Sequence, residues 1–95
     1  MPTSHGHAAT DAAPRYAKQL ASHFGRKIPT EELPEGRHRL TFQQTDVLLE
    51  PAEDHLLIRV TAPDASTLGT IRDVVASHLE RFGRRNELTV VWKQS

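Results

Sequence analysis

Apolar residues recur at helical spacing from Ala12 to Phe24. Ala13, Tyr16, Ala17, Leu20 and Phe24 form one stripe, and Arg15, Lys18, Gln19 and Ser22 fall mostly on the other side. This period predicts a helix with a single buried face. Thr10 or Asp11 can cap it, and Pro14 sits in the first turn, where a missing N–H costs nothing. Gly25 is expected to close it as a left-handed C-cap, with Arg26 and Lys27 complementing the negative helix end. A second helix opens at Pro63-Asp64 with Asp64 as cap, and Leu68, Ile71, Val75, Leu79 and Phe82 are its stripe. Gly83 ends it before Arg84-Arg85, and Gly69 weakens its first turns. Both helices finish in Phe-Gly-Arg followed by Lys or Arg. That match reads as an internal repeat or, more economically, as two uses of the same capping chemistry.

The rest of the chain alternates with a period of two and predicts strands. Ser4 to Thr10 places Gly6 and Ala8 on one face and His5 and His7 on the other. Ile28 to Glu32 is a weak strand, confined to an edge by Pro29. After the turn at Pro34-Glu35-Gly36, His38 to Phe42 points Leu40 and Phe42 inward. Asp46 to Glu50 does the same with Val47 and Leu49. His55 to Ala62 has the cleanest alternation, with Leu56, Ile58 and Val60 on one face. Glu87 to Lys93 points Leu88, Val90 and Trp92 inward and leaves Val91 outward with Leu57 and His5. The order is strand, helix, four-stranded meander, helix, strand. Short links in the meander favour antiparallel pairing. The expected fold is α+β: a two-layer sandwich with a mainly antiparallel, curved sheet and both helices on one face.

The length of 95 residues predicts one domain spanning residues 1–95. The chain has no cysteine, which excludes disulfides and cysteine-ligated metal centres. Apolar runs are too short for a membrane helix, and the first residues carry no apolar signal core, so a cytoplasmic protein is expected. Twelve Lys and Arg balance twelve Asp and Glu. That balance argues against a nucleic-acid binder, because counterion release needs clustered cations, but it leaves room for a local basic patch.

Several motifs together resemble the bacterial family known as domain of unknown function 2218. They are Arg15-Tyr16, Gln19-Leu20, His23-Phe24 and Lys27 near the start. Towards the end they are Val74-Val75, His78-Leu79-Glu80-Arg81-Phe82, Arg85, Glu87-Leu88 and Trp92. The resemblance spans nearly the whole chain and implies a small α+β domain, standing alone or joined to flavin-dependent siderophore-interacting reductases. It carries over no catalytic residue. Arg26 stands where the family pattern after the first helix has a second histidine, which weakens any general metal site there.

Six histidines are the compositional oddity. His5 and His7 leave the same strand face, a spacing that can hold Zn²⁺, Ni²⁺ or Cu²⁺ only if further ligands join them; an exposed polar face is the simpler account. His23 and His78 each flank the buried stripe near the end of their helix. With the helices side by side, both imidazoles approach one end of the sandwich, near Lys27, Arg81 and Arg85. Such a cluster suits a carboxylate or phosphate, with Arg supplying bidentate geometry. The simpler account again is that each ring is satisfied locally by backbone or by Glu80 or Glu87. Arg15 is expected to be solvated or paired with an acid, and His38 and His55 to lie on the surface.

Three functions follow, in order. The first is a non-catalytic binding or accessory module for a small anionic ligand or a siderophore-related protein, with the iron link resting on the resemblance alone. The second is a homodimer or other protein-interaction domain using the open sheet face. The third is a small enzyme with a histidine base, ranked last because no nucleophile or acid partner is evident. No cofactor is implied.

Overall fold

A computed structural model describes residues 2–94. Strand β1 spans Thr3–Ala9, helix α1 Ala13–Phe24, β2 Thr30–Glu32, β3 His38–Phe42, β4 Thr45–Pro51, β5 His55–Thr61, α2 Ala65–Phe82 and β6 Val90–Gln94. The six strands form one sheet in the order β2-β3-β4-β5-β1-β6, and every pairing is antiparallel. This is the α+β architecture that the alternation and the helical stripes predict. The meander is β2 to β5, and β1 lies between β5 and β6.

The inward residues of the strands and the helix stripes make one core. Leu40, Val47, Leu49, Leu56, Ile58 and Val60 are buried with Tyr16, Leu20, Phe24, Leu68, Val75 and Leu79. Both helices therefore cover the same face. The other face stays open, with Leu57 39% and Val91 59% exposed. Among the described residues, no helix is long and apolar enough to cross a membrane.

Asp64 caps α2 as expected, accepting a hydrogen bond of 2.7 Å from the Thr67 backbone N–H. That bond, with a further one from the Thr67 hydroxyl, holds the Asp64 carboxyl below its usual range. At α1 the cap residue is Ala12. It lacks a capping side chain, and its own N–H donates to Thr10 Oγ1 at 3.0 Å.

One expectation about glycine is corrected. Gly25 has right-handed helical angles (φ −61°, ψ −13°) and donates to Ala21 O at 2.8 Å, so it extends the helix instead of reversing it. Gly83 ends α2 as expected, with φ −101°. It is small because Leu88 folds back on it: a Cβ there would lie 2.5 Å from the Leu88 Cβ. The left-handed turn comes later, at Glu87 (φ 54°), after a short 3-10 turn over Arg84–Asn86. For this reason β6 starts at Val90 and not at Glu87. Similarly, Lys27 and Ile28 both donate to Phe24 O, which delays β2 to Thr30.

A second close approach is at Gly6. It pairs with Trp92 across the β1–β6 ladder, and a Cβ on Gly6 would stand 2.8 Å from the indole. The Arg72 guanidinium of α2 lies over the same ring, 5.0 Å from its centroid, while the Arg72 Nε is buried without a hydrogen-bond acceptor. Cation–π attraction thus takes the place of an ion pair at this contact.

These contacts set opposite expectations for three alanine substitutions. Gly6→Ala and Gly83→Ala each overpack a filled site and are expected to cost about 1–3 kcal/mol in urea unfolding. Gly69→Ala lies in α2 with nothing within 4 Å of the new methyl, and is expected to stabilise by about 0.5–1 kcal/mol.

Candidate functional site

The helices end beside one another. The rings of His23 and His78 lie 4.9 Å apart, centroid to centroid. Phe24 packs on His78 at 5.0 Å and edge-on to Phe42 of β3 at 5.3 Å. Phe82 meets the edge of His23 at 5.7 Å. His78 Nδ1 donates to Val74 O at 2.7 Å, the local backbone partner the simpler account anticipates, which leaves Nε2 as the acceptor of the neutral ring. His23 has no such partner among the described residues and stays exposed.

Two adjacent clefts open around this junction. The first, about 490 Å³, is lined by Arg15, Lys18, Gln19, Ser22, His23, Arg26 and Phe82. The second, about 380 Å³, is lined by Arg15, Tyr16, Arg81, Phe82, Arg84, Arg85 and Asn86. Of the residues singled out in the sequence, His23 lines the first cleft, while Arg81 and Arg85 line the second. His78 stands behind His23, and Lys27 lines neither cleft, although it and Arg81 are close enough to bear on the charge of His23.

Arg15, Lys18, Arg26, Arg84 and Phe82 were not singled out as site residues, and they supply the remaining cations of the lining and its one hydrocarbon side chain. Arg15 is solvent-exposed, one of its two expected states, and makes no ion pair among the described residues; it lies over the Tyr16 ring, 5.1 Å from the centroid, with Nη2 donating to the Tyr16 hydroxyl at 3.5 Å. Asn86 Nδ2 donates to that hydroxyl at 3.0 Å, so a residue from beyond α2 braces the floor of the second cleft. The Phe-Gly-Arg match at the two helix ends was the available signal, since it puts a cationic run at each.

The remaining histidines lie elsewhere. His5 and His7 project from the open face, as expected, into a hollow with Leu57, Val91 and Lys93. His7 stacks on His55 at 4.3 Å, and His55 bonds through Nδ1 to the Asp54 carboxylate. Among the described residues, no three His, Asp or Glu side chains converge as metal ligands would. His38 is buried, not on the surface, because it shares the inward register of Leu40. His55 is half-buried by its stacking on His7.

The model of a family described as "Uncharacterized protein conserved in bacteria (DUF2218)" matches residues 5–93. The chain belongs to that family. It is also similar to the NMR structure of PA4090 from Pseudomonas aeruginosa, at 33% identity and a TM-score of 0.82, over 98% of this chain and 96% of that one. Among curated proteins, none matches the chain.

In this DUF2218 domain the site is strongly electropositive. Arg15, Lys18, Arg26, Lys27, Arg81, Arg84 and Arg85, seven of the twelve Lys and Arg, lie at the two helix ends or the clefts between them. None of the twelve acidic residues lines either cleft. The ion pairs among the described residues are Arg39 with Glu31 and His55 with Asp54, which use none of these seven cations. Glu80, the nearest acid in α2, is engaged by the Val90 backbone N–H at 3.0 Å. The negative helix ends account for only part of the charge. Two ends supply roughly one negative charge together, at about half a charge each.

The His23 pKa is pushed below its ordinary 6.5, first by the water that the exposed ring loses where its neighbours pack on it and then by His78, Arg26, Lys27 and Arg81. The unfolded chain therefore takes up this proton at higher pH than the folded one. The His23 contribution to stability is full above pH 6.5 and is lost as the pH falls through the folded pKa. His23→Asn is expected to flatten that part of the stability–pH curve, read from urea midpoints between pH 7.5 and 5. An NMR titration of wild-type His23 should show a midpoint below that of a histidine in an unstructured peptide.

Proposed function

We propose that this domain is a non-catalytic binding module for a small anionic ligand, held where the two helices end. The observation that carries this reading is the convergence of cations from both helices on clefts that contain no carboxylate. Like charges gathered without partners repel one another, and an anion relieves that repulsion while accepting charge-assisted hydrogen bonds. The neutral imidazole of His23 adds a group that can take up a proton as the anion arrives. The link to iron or siderophore handling is a narrower form of the same reading. It rests on the family resemblance and on the negative charge of ferric complexes of carboxylate and catecholate siderophores.

Isothermal titration with inorganic phosphate, citrate and a ferric catecholate complex tests the reading. At least one is expected to bind, with Arg26→Ala and Arg15→Ala each weakening binding about 10-fold or more, the scale of one charge-assisted hydrogen bond. An anion beside His23 raises its pKa, so affinity should increase as the pH falls from 7.5 towards 5.5. Rising salt should weaken binding. No heat with any anion, or equal affinity in both variants, removes the reading.

A second reading, association of two copies through the open sheet face, is favoured by the exposure of Leu57 and Val91 beside a hollow of about 460 Å³. Light scattering across a concentration series is expected to show a dimer that Leu57→Glu disperses. A strict monomer at millimolar concentration excludes it.

A further inference from the structure

The anion site just proposed is divided, and the division says something about the shape of what it holds. This inference rests on that reading. Each cleft is many times larger than one carboxylate or phosphate needs, given that a water occupies about 30 Å³ of liquid, and each has its own cations. Lys18 and Arg26 serve the first, with His23; Arg81, Arg84 and Arg85 serve the second. The clefts share two side chains, Arg15 and Phe82. Phe82 is the one wholly hydrocarbon side chain in either lining. It belongs to the apolar stripe of α2, yet it remains half-exposed at the boundary. Arg15 is steadied there by the Tyr16 ring and hydroxyl, and Asn86 holds that hydroxyl in turn.

We propose that the ligand is an elongated dianion: two carboxylate or phosphate groups joined by an apolar or aromatic segment, one group in each cleft and the segment across Phe82. A single anion can satisfy only one set of cations and leaves Phe82 wet. A dianion satisfies both sets, and once one end is bound the other end meets its cleft at high effective concentration. The apolar segment takes Phe82 out of water, and the guanidinium of Arg15 is placed to contact either end.

The test compares benzoate, benzene-1,4-dicarboxylate and biphenyl-4,4′-dicarboxylate by isothermal titration and by amide shifts in two-dimensional NMR. At least one dicarboxylate is expected to bind 10-fold or more tighter than benzoate and to shift Ser22 and Asn86 together. Lys18→Ala/Arg26→Ala and Arg84→Gln/Arg85→Gln each remove cations from one cleft only. Either pair should return the dicarboxylate to the affinity of benzoate. These side chains are exposed, and an unchanged NMR spectrum away from the clefts verifies the fold of each variant. If benzoate binds but neither dicarboxylate gains more than the statistical factor of about two, the dianion proposal fails and the anion site stands. The dianion proposal also fails, with the anion site intact, if Arg84→Gln/Arg85→Gln leaves dicarboxylate affinity unchanged. If no carboxylate binds, and phosphate and citrate do not bind either, both fail.

Discussion

Phe24 packs edge-on against Phe42 of β3 and lies on the imidazole of His78 in α2, so one side chain ties both helices to the sheet at their C-terminal ends. Most of the charged groups of the candidate site lie around that junction. His23 precedes Phe24 on α1, and Phe82 follows His78 by one turn on α2. Arg26, Lys27, Arg81, Arg84 and Arg85 lie on these last turns or in the residues that follow them, while Lys18 and Arg15 reach the clefts from further back along α1. An aromatic contact has a preferred geometry as well as an apolar area, so it fixes direction where aliphatic packing alone would allow sliding. The site is thus an outcome of how the core closes at one end.

The same economy explains how a chain of zero formal charge holds a strongly basic surface. Helix C-termini favour cations for local reasons, and each helix has its own supply just before or after its glycine. Once the junction sets the two ends side by side, their separate preferences add. The charge at these ends exceeds what the helix dipoles neutralise, which sets it apart from ordinary capping. None of the acids lines either cleft, and Glu80 is committed to backbone.

Much of the scaffold was legible because periodicity is a local property. The alternation of Leu56, Ile58 and Val60 and the stripe of Ala13, Tyr16, Ala17, Leu20 and Phe24 need only neighbouring residues to be read, and all of them are buried. The approach of His23 to His78 was legible for the same reason, since both flank their stripes at the same depth. What escaped depended on contacts between distant segments. Gly83 is shaped by Leu88 folding onto it, which capping rules do not describe. His38 follows the inward register of its own strand, although its polarity argued for the surface. Arg15 joins Arg84 and Arg85 only through folding, so no spacing along the chain announces that they share a cleft.

Segregated charge on a neutral molecule also governs how a ligand would arrive. A field set by net charge would vanish here, whereas a positive patch projects over about a Debye length, roughly 8–10 Å at ordinary ionic strength. Within that distance the surface draws anions towards the helix ends and turns away cations, so selection by charge sign begins before contact. Encounter rates would follow the local patch and not the isoelectric point.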